Sequence, residues 1–346
     1  MRPTGKLHLG HLVGALQNWV ALQESYDCFY FVADWHALTT DYANTKELTS
    51  YANDNVMDWI AAGLDPERST IFVQSLIPEH AELYLLLSMV VPVSWLERVP
   101  TYKEQQDMLT DRDLSSIGFL GYPLLQTADV VMYDAHFVPV GDDQVAHLEL
   151  AREAVRRFNN FYGRVLREPQ PLLTKVARLP GLDGARKMSK SLGNTIQLSD
   201  DAQSVRKKVM SMYTDPKRIR ADIPGTVEGN PVFLYHDVFN ANIEEVDDLK
   251  ARYRAGAVGD VEVKDKLAKA LNAALDPIRA RRAQLASQPH RIHEILVEGS
   301  RRARHVAAET MDRVREAMKI KYRESGPGTR DPGSGTMGLG PGTKLP

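Results

Sequence analysis

Two histidines spaced by three, His8 and His11, flank Gly10 in the stretch Thr4-Gly5-Lys6-Leu7-His8-Leu9-Gly10-His11, just ahead of a helical pattern. Backbone N–H groups at the start of a helix favour phosphate oxygens, and paired imidazoles can donate to a phosphate that gains charge. Gly10 has no side chain, so a planar base or a ribose can lie against the backbone there. The same residues would equally make a capping loop with a surface histidine pair. A second constellation is Lys187-Met188-Ser189-Lys190-Ser191, between Gly184 and Gly193. Two lysines three apart among hydroxyl residues and glycines suit a mobile loop that closes on a polyphosphate and neutralises the charge of departing pyrophosphate. A solvated basic loop is the alternative, and it leaves the pairing of the lysines unexplained.

Three further groups could complete a site. The segment 121–133 reads as a helix with Leu124, Leu125, Ala128, Val131 and Met132 apolar. Tyr122, Gln126 and Asp129 stand at i, i+4 and i+7, so they share one face. That face either meets solvent or lines a pocket, where a carboxylate could accept an indole N–H or a phenol O–H. Val140-Gly141-Asp142-Asp143-Gln144 ends a strand-like run ahead of the helical pattern 145–158. Carboxylates in the crevice beyond the ends of parallel strands can take ribose hydroxyls, and Gln144 an amino-acid head group, although the same acids would also cap a helix. His36, in Asp34-Trp35-His36-Ala37-Leu38-Thr39, can reach the same crevice; a lone histidine after a strand is more often structural.

The elements that must position these groups change character along the chain. Runs 29–33, 70–73 and 136–140 read as buried strands, the last weakened by Pro139. Between them Leu12, Leu16, Trp19 and Val20, and again Leu48, Ala52, Val56, Trp59 and Ile60, recur at helical spacing. Strands alternating with helices predict an α/β, Rossmann-like domain with a parallel sheet over 1–195. From about Asp200 strand-like runs give way to charged helical patterns such as 263–275 and 301–318, punctuated by Pro216, Pro224, Pro231, Pro277 and Pro289. This predicts an all-helical domain over 196–323. The segment 324–346 holds 7 Gly and 4 Pro in 23 residues and is expected to be disordered. The turn at Arg2 should follow a parallel strand, which in a doubly wound sheet is central. The expectation is therefore that Met1 is internal to a longer chain and that the first central strand belongs upstream of it.

Composition narrows the class. The 346 residues are 43% hydrophobic and 25% charged, with a net charge of -2, so no general attraction to nucleic acid follows. Basic clusters at Arg152, Arg156 and Arg157, at Lys207 and Lys208, at Arg279, Arg281 and Arg282, and at Arg301, Arg302 and Arg304 read most simply as solvated helix faces. Cys28 is the only cysteine, which excludes disulfides within the chain and thiolate-held metal centres, an iron–sulfur cluster included. No stretch is apolar enough to cross a bilayer and the first residues lack an apolar leader core, so a cytoplasmic place is expected.

His-x-Gly-His followed by Lys-Met-Ser-Lys-Ser on an α/β frame is the pair of signatures of class I aminoacyl-tRNA synthetases. From Arg2 to about Met318 the chain resembles the bacterial tryptophanyl-tRNA synthetases. Arg2-Pro3-Thr4-Gly5, Asp34-Trp35-His36-Ala37, Leu96-Glu97-Arg98, Tyr122-Pro123-Leu124-Leu125-Gln126 with Asp129, and Gly141-Asp142-Asp143-Gln144 fall in that family's order. The resemblance implies that Arg2, Pro3, Thr4, Gly10, His11, Gly141, Asp142, Asp143, Leu179, Lys187, Met188, Ser189, Lys190 and Ser191 contact ATP. His8, His11, Lys187 and Lys190 would be the catalytic groups. It implies that Asp129 accepts the indole N–H with Gln126 beside it, that Tyr122 and Gln144 hold the amino group, and that His36 lines the same pocket. It further implies L-tryptophan, ATP with Mg²⁺, tRNA(Trp), no metal site of the chain's own, and a homodimer with 93–121 as an insertion near the subunit interface. Some relatives with these motifs carry an iron–sulfur cluster in the helical part, where this chain has no cysteine. Open alternatives are a tyrosine–tRNA ligase, whose pocket also uses Tyr, Gln and Asp, a class I-like nucleotidyltransferase, and a non-catalytic paralogue.

Overall fold

The computed structural model describes residues 1–100, 102, 114–141, 144–173, 179–184, 188, 192–216 and 218–322. Its first helix, α1, runs over 9–22 and is wound as a π-helix from Leu12 to Leu16. Then follow β1 (Cys28–Val32), α2 (Asp34–Asp41), α3 (Leu48–Ala62), β2 (Ser69–Val73), α4 (Glu79–Ser88) and α5 (Val93–Glu97). The site-bearing helix α6 (Ile117–Val131) leads to β3 (Phe137–Val140), α7 (Val145–Tyr162) and β4 (Gln170–Leu173). The remainder is helical: α8 (Ala202–Met210), α9 (Pro231–Phe239), α10 (Ile243–Arg254), α11 (Asp260–Ala286) and α12 (Pro289–Ala317).

The expected parallel pairing is present, but as two pairs. β1 lies parallel to β2, with Cys28 opposite Ser69 and Val32 opposite Val73, and β3 lies parallel to β4, with Phe137 opposite Gln170. Between the pairs runs a cleft of about 650 Å³, lined by residues 28–31 on one side and 136–139 on the other. Met1 lies beside β1, its amine donating to the Phe31 carbonyl (2.6 Å) and its carbonyl accepting from the Ala33 N–H (2.9 Å). Sequence periodicity missed β4, whose Gln-Pro-Leu-Leu run is short. Pro139 and Pro171 are tolerated because a two-stranded pair consists of edges only.

Helices bury the apolar stripes that their spacing foretells. Val56 and Trp59 of α3 are fully buried, and Trp19 stacks on Tyr30 (4.6 Å between centroids) while meeting Trp59 edge-on (5.3 Å). Ser116 caps α6 by accepting from the Phe119 N–H (3.1 Å), so this helix begins four residues earlier than expected. Pro277 does not break the chain into two helices: it lies inside α11, whose Leu267, Leu271, Leu275 and Ile278 hold both halves down. One apolar cluster includes Leu7, Leu9, Leu16 and Trp59 together with Leu267, Leu271 and Leu275, so a common core spans the boundary expected near residue 195. Helix α11 packs on α3, and α12 lies across β2 and α4.

Much of the basic character is spent inside the chain. Arg282 of α11 pairs with Asp54 (2.7 Å) and Asp58 of α3, and Arg281 donates to the Ala61 carbonyl (2.6 Å). Arg156 pairs with Glu168, Arg304 with Glu79, Arg301 with Glu298, and Lys208 with Asp200. Burial pushes the Asp58 carboxyl up from 3.8 to about 6; Arg282 opposes that and Asp54 adds to it. A raised folded value means the stabilisation is complete below pH 3.8 and lost as pH rises through about 6. The difference is worth about 3 kcal/mol. Asp58→Asn should remove this loss, so denaturant midpoints of the two proteins should differ more at pH 7 than at pH 4; an unchanged difference would count against it.

Candidate active site

The first motif is folded as a helix cap. His8 Nδ1 accepts the Gly10 N–H (3.1 Å), and His11 Nδ1 accepts the His8 N–H (3.2 Å), with the rings 3.9 Å apart. This is the capping loop that the residue types allowed, yet it also fixes chemistry. A neutral ring that accepts at Nδ1 carries its proton on Nε2, so both imidazoles are donors at their outer nitrogens. A Cβ on Gly10 would sit 3.0 Å from the His8 ring and 3.1 Å from Met188 Sδ, so glycine permits this close approach.

That last contact joins the two distant motifs. Met188 is buried, and of the Lys187–Ser191 loop it is the residue described; Lys187, Ser189, Lys190 and Ser191 lie outside the described residues, as do Asp142 and Asp143. Chain on the far side of the loop pairs with the first motif. Leu9 N–H donates to Ile196 O and Leu198 N–H to Leu7 O, both at 3.0 Å, and His8 bridges Gln197 antiparallel. The Leu182 N–H bonds to Asn194 O (3.0 Å), closing the loop at its base, and Gly184 and Gly193 take the positive φ values that its turns need. Leu179 is buried in the same cluster as Leu7, Leu9 and Met188. Arg2 and Thr4 are exposed on the turn ahead of the motif and Pro3 is buried.

Helix α6 carries Tyr122, Gln126 and Asp129, as expected. Tyr122 is buried against Phe119 and His147, with centroids 5.6 Å apart in each pair, and Gln126 is half-buried. Gly141 follows β3 and its carbonyl accepts the Gln144 N–H (3.0 Å), which sets Gln144 at the start of α7.

Asp129 is the centre of a buried polar cluster whose other members the sequence reading largely missed. Its Oδ2 takes His36 Nε2 (2.7 Å) and its Oδ1 takes His80 Nδ1 (2.6 Å), while Gln74 Nε2 reaches both oxygens (2.8 and 3.0 Å). Behind His80, Nε2 meets the Tyr133 hydroxyl at 2.7 Å. Burial alone would push the Asp129 carboxyl up, but the adjoining His80 and His36 outweigh it and hold it well below the usual carboxylate range. An ionised carboxylate only accepts, so each imidazole donates to it. Burial, with Asp129 and Glu79 nearby, pushes the Tyr133 phenol far up, so it stays a donor. Gln74 follows directly on the C-terminal end of β2, and His36 lies in the first turn of α2 just beyond the end of β1, where side chains of a parallel pair converge. A polar residue placed immediately after Val73 was the signal available for Gln74; His80, on the apolar face of α4, offered none.

The family model of tRNA synthetases class I (W and Y) matches residues 1–276. The chain is 52% identical over 324 residues to the tryptophan–tRNA ligase of Treponema pallidum, covering 93% of this chain and 96% of that protein. It is 50% identical over 323 residues to the tryptophan–tRNA ligase of Thermotoga maritima, covering 93% and 98%. Among solved structures, the tryptophanyl-tRNA synthetase of Campylobacter jejuni, complexed with ADP and tryptophan, superposes with a TM-score of 0.83 at 31% identity, over 92% of this chain and 98% of that one.

Proposed function

Because the chain belongs to the class I tRNA synthetases (W and Y), we propose that it works as a tryptophan–tRNA ligase, joining L-tryptophan to tRNA(Trp) at the expense of ATP. The observation that carries the reading is the seating of Met188 on Gly10, which brings one residue of the Lys-Met-Ser-Lys-Ser motif against the histidine motif although the two are far apart in sequence. In the first step the tryptophan carboxylate attacks the α-phosphorus of ATP and pyrophosphate leaves. In the second, a terminal ribose hydroxyl of the tRNA attacks the carbonyl carbon of the mixed anhydride and AMP leaves. Neither step needs a protein nucleophile; positioning and charge stabilisation suffice.

In this reading the Nε2–H groups of His8 and His11, with Lys187 and Lys190, stabilise charge that develops on the phosphates. Arg2, Pro3, Thr4, Gly10, Gly141, Asp142, Asp143, Leu179, Met188, Ser189 and Ser191 form the ATP site. Mg²⁺ arrives on the ATP phosphates, as part of the substrate. Asp129 accepts the indole N–H, with His36 and Gln126 in the same pocket, and Tyr122 and Gln144 hold the amino group. A homodimer is supported by the apolar surface beside the 93–121 segment. Leu85, Met89, Val93 and Ile117 are 52, 67, 56 and 81% exposed, and a cleft of about 460 Å³ is lined by Trp35, Tyr42, Tyr84 and Gly118. Charging tRNA for translation places the work in the cytoplasm, and among the described residues no helix is long and apolar enough to cross a membrane.

Pyrophosphate exchange with each of the twenty amino acids tests the assignment. Tryptophan should support exchange at least about a hundredfold better than tyrosine, because a buried acceptor placed for the indole N–H is left unpaired by a ligand whose polar hydrogen lies elsewhere on its ring. Exchange driven best by tyrosine would replace the assignment with a tyrosine–tRNA ligase.

A further inference from the structure

The cluster around Asp129 is more than a buried carboxylate with partners. A carboxylate offers about four lone-pair directions, and four contacts already occupy this one, at 2.6, 2.7, 2.8 and 3.0 Å. A further donor therefore cannot join at full strength; it has to replace one of those present. The three donors are not equivalent. Gln74 is fully buried and spans both oxygens, and its amide cannot turn over without setting its own oxygen against the carboxylate. It holds this orientation although its Oε1 is buried without a partner among the described residues. His80 is also fully buried and is pinned from behind by Tyr133. His36 makes a single contact, to Oδ2, and at 9% exposure it is the one donor of the three that reaches the surface.

We propose that Gln74 and His80, the latter locked by Tyr133, are positioning residues that hold Asp129 fixed, and that His36 is an exchangeable donor whose place the indole N–H takes when tryptophan binds. The inference rests on the reading of Asp129 as the indole acceptor. It gives the pocket a specificity device. A ligand with an N–H compensates the carboxylate for losing His36, whereas an isostere without one displaces the imidazole and leaves Asp129 Oδ2 short of a donor.

The test compares the affinities of L-tryptophan and β-(3-benzothienyl)-L-alanine, in which sulfur replaces the N–H, by calorimetry on the full chain and its variants. His80→Phe should lower the preference for tryptophan by about tenfold or more, the usual weight of a hydrogen bond to a charged group, while the isostere's affinity stays nearly constant. His80→Asn, which keeps a donor near the Nδ1 position, should restore most of the preference, and Tyr133→Phe should weaken it to a smaller degree. His36→Ala should strengthen tryptophan binding, because no donor has then to leave. Equal losses for both ligands in His80→Phe would mean a merely structural role, and weaker tryptophan binding in His36→Ala would overturn the exchange. Asp129→Ala separates the two levels. If it leaves the preference intact, the indole assignment itself fails; if it abolishes the preference while His80→Phe and His36→Ala do not alter it, only the present inference fails.

Discussion

Replacing Lys190 by alanine should slow formation of tryptophanyl-adenylate by about a hundred- to thousandfold, the weight of one preorganised group aimed at developing charge. The motivation is the pairing of Lys187 and Lys190 across Met188, whose side chain is seated on Gly10 beside His8. Met188, between the two lysines in sequence, lies beside the histidine motif whose Nε2 donors would face the ATP phosphates. The charge of Lys190 is needed most when negative charge accumulates on pyrophosphate, so the loss should fall on the rate of activation. Tryptophan affinity should change less than about threefold, because the lysine meets only ATP. Single-turnover exchange together with tryptophan calorimetry checks both halves. An unaltered exchange rate would return the loop to a solvated basic turn, and equal losses in rate and tryptophan affinity would point to a distorted pocket instead.

The second large effect is expected far from the chemistry, at Gly299. Helix α12 crosses β2 so closely that a Cβ on Gly299 would sit 1.8 Å from the Ile71 carbonyl oxygen and 2.7 Å from its carbon. Around this crossing Ser300 Oγ accepts the Val73 N–H (3.4 Å), Arg302 donates to the Pro66 carbonyl (2.8 Å), and Ala303 and Ala307 are fully buried. In an exposed helix, replacing glycine by alanine stabilises by about 1 kcal/mol. Here the obstacle is backbone in the middle of a strand, which cannot swing aside as a side chain could. The helix must retreat, loosening the packing on β2 and the bonds at Ser300 and Arg302. Gly299→Ala should therefore destabilise by about 3 kcal/mol, the upper range for overpacking. Urea unfolding at unchanged slope measures it. A more stable alanine variant would contradict the close crossing.

Strand β2, held in place by α12, presents Gln74 directly after Val73. The two halves of the chain are thus coupled mechanically: a helix from the C-terminal part backs the strand that delivers a pocket residue. A modest retreat of α12 in Gly299→Ala should accordingly weaken tryptophan binding before it affects ATP.

Local sequence was enough for what depends on local spacing. The histidine pair, the polar face of α6 and the apolar stripes of α1 and α3 were all legible, because side-chain direction repeats every 3.6 residues in a helix and every two in a strand. The order of the two motifs on an α/β pattern was legible for the same reason, and it led directly to the family. Tertiary structure alone decided which partner each polar group meets. Asp129 is separated from His36 by 93 residues, from Gln74 by 55 and from His80 by 49, and no periodicity reports a contact made by closing loops of that length. The basic clusters show the same limit, since Arg281 and Arg282 look like a solvated face until α11 packs on α3 and sets them on Ala61, Asp54 and Asp58. Spacing states which face of an element is apolar. Which carboxylate or carbonyl waits on the facing element is determined by the packing of distant segments, and that is where the chain placed both its pocket cluster and the helix behind β2.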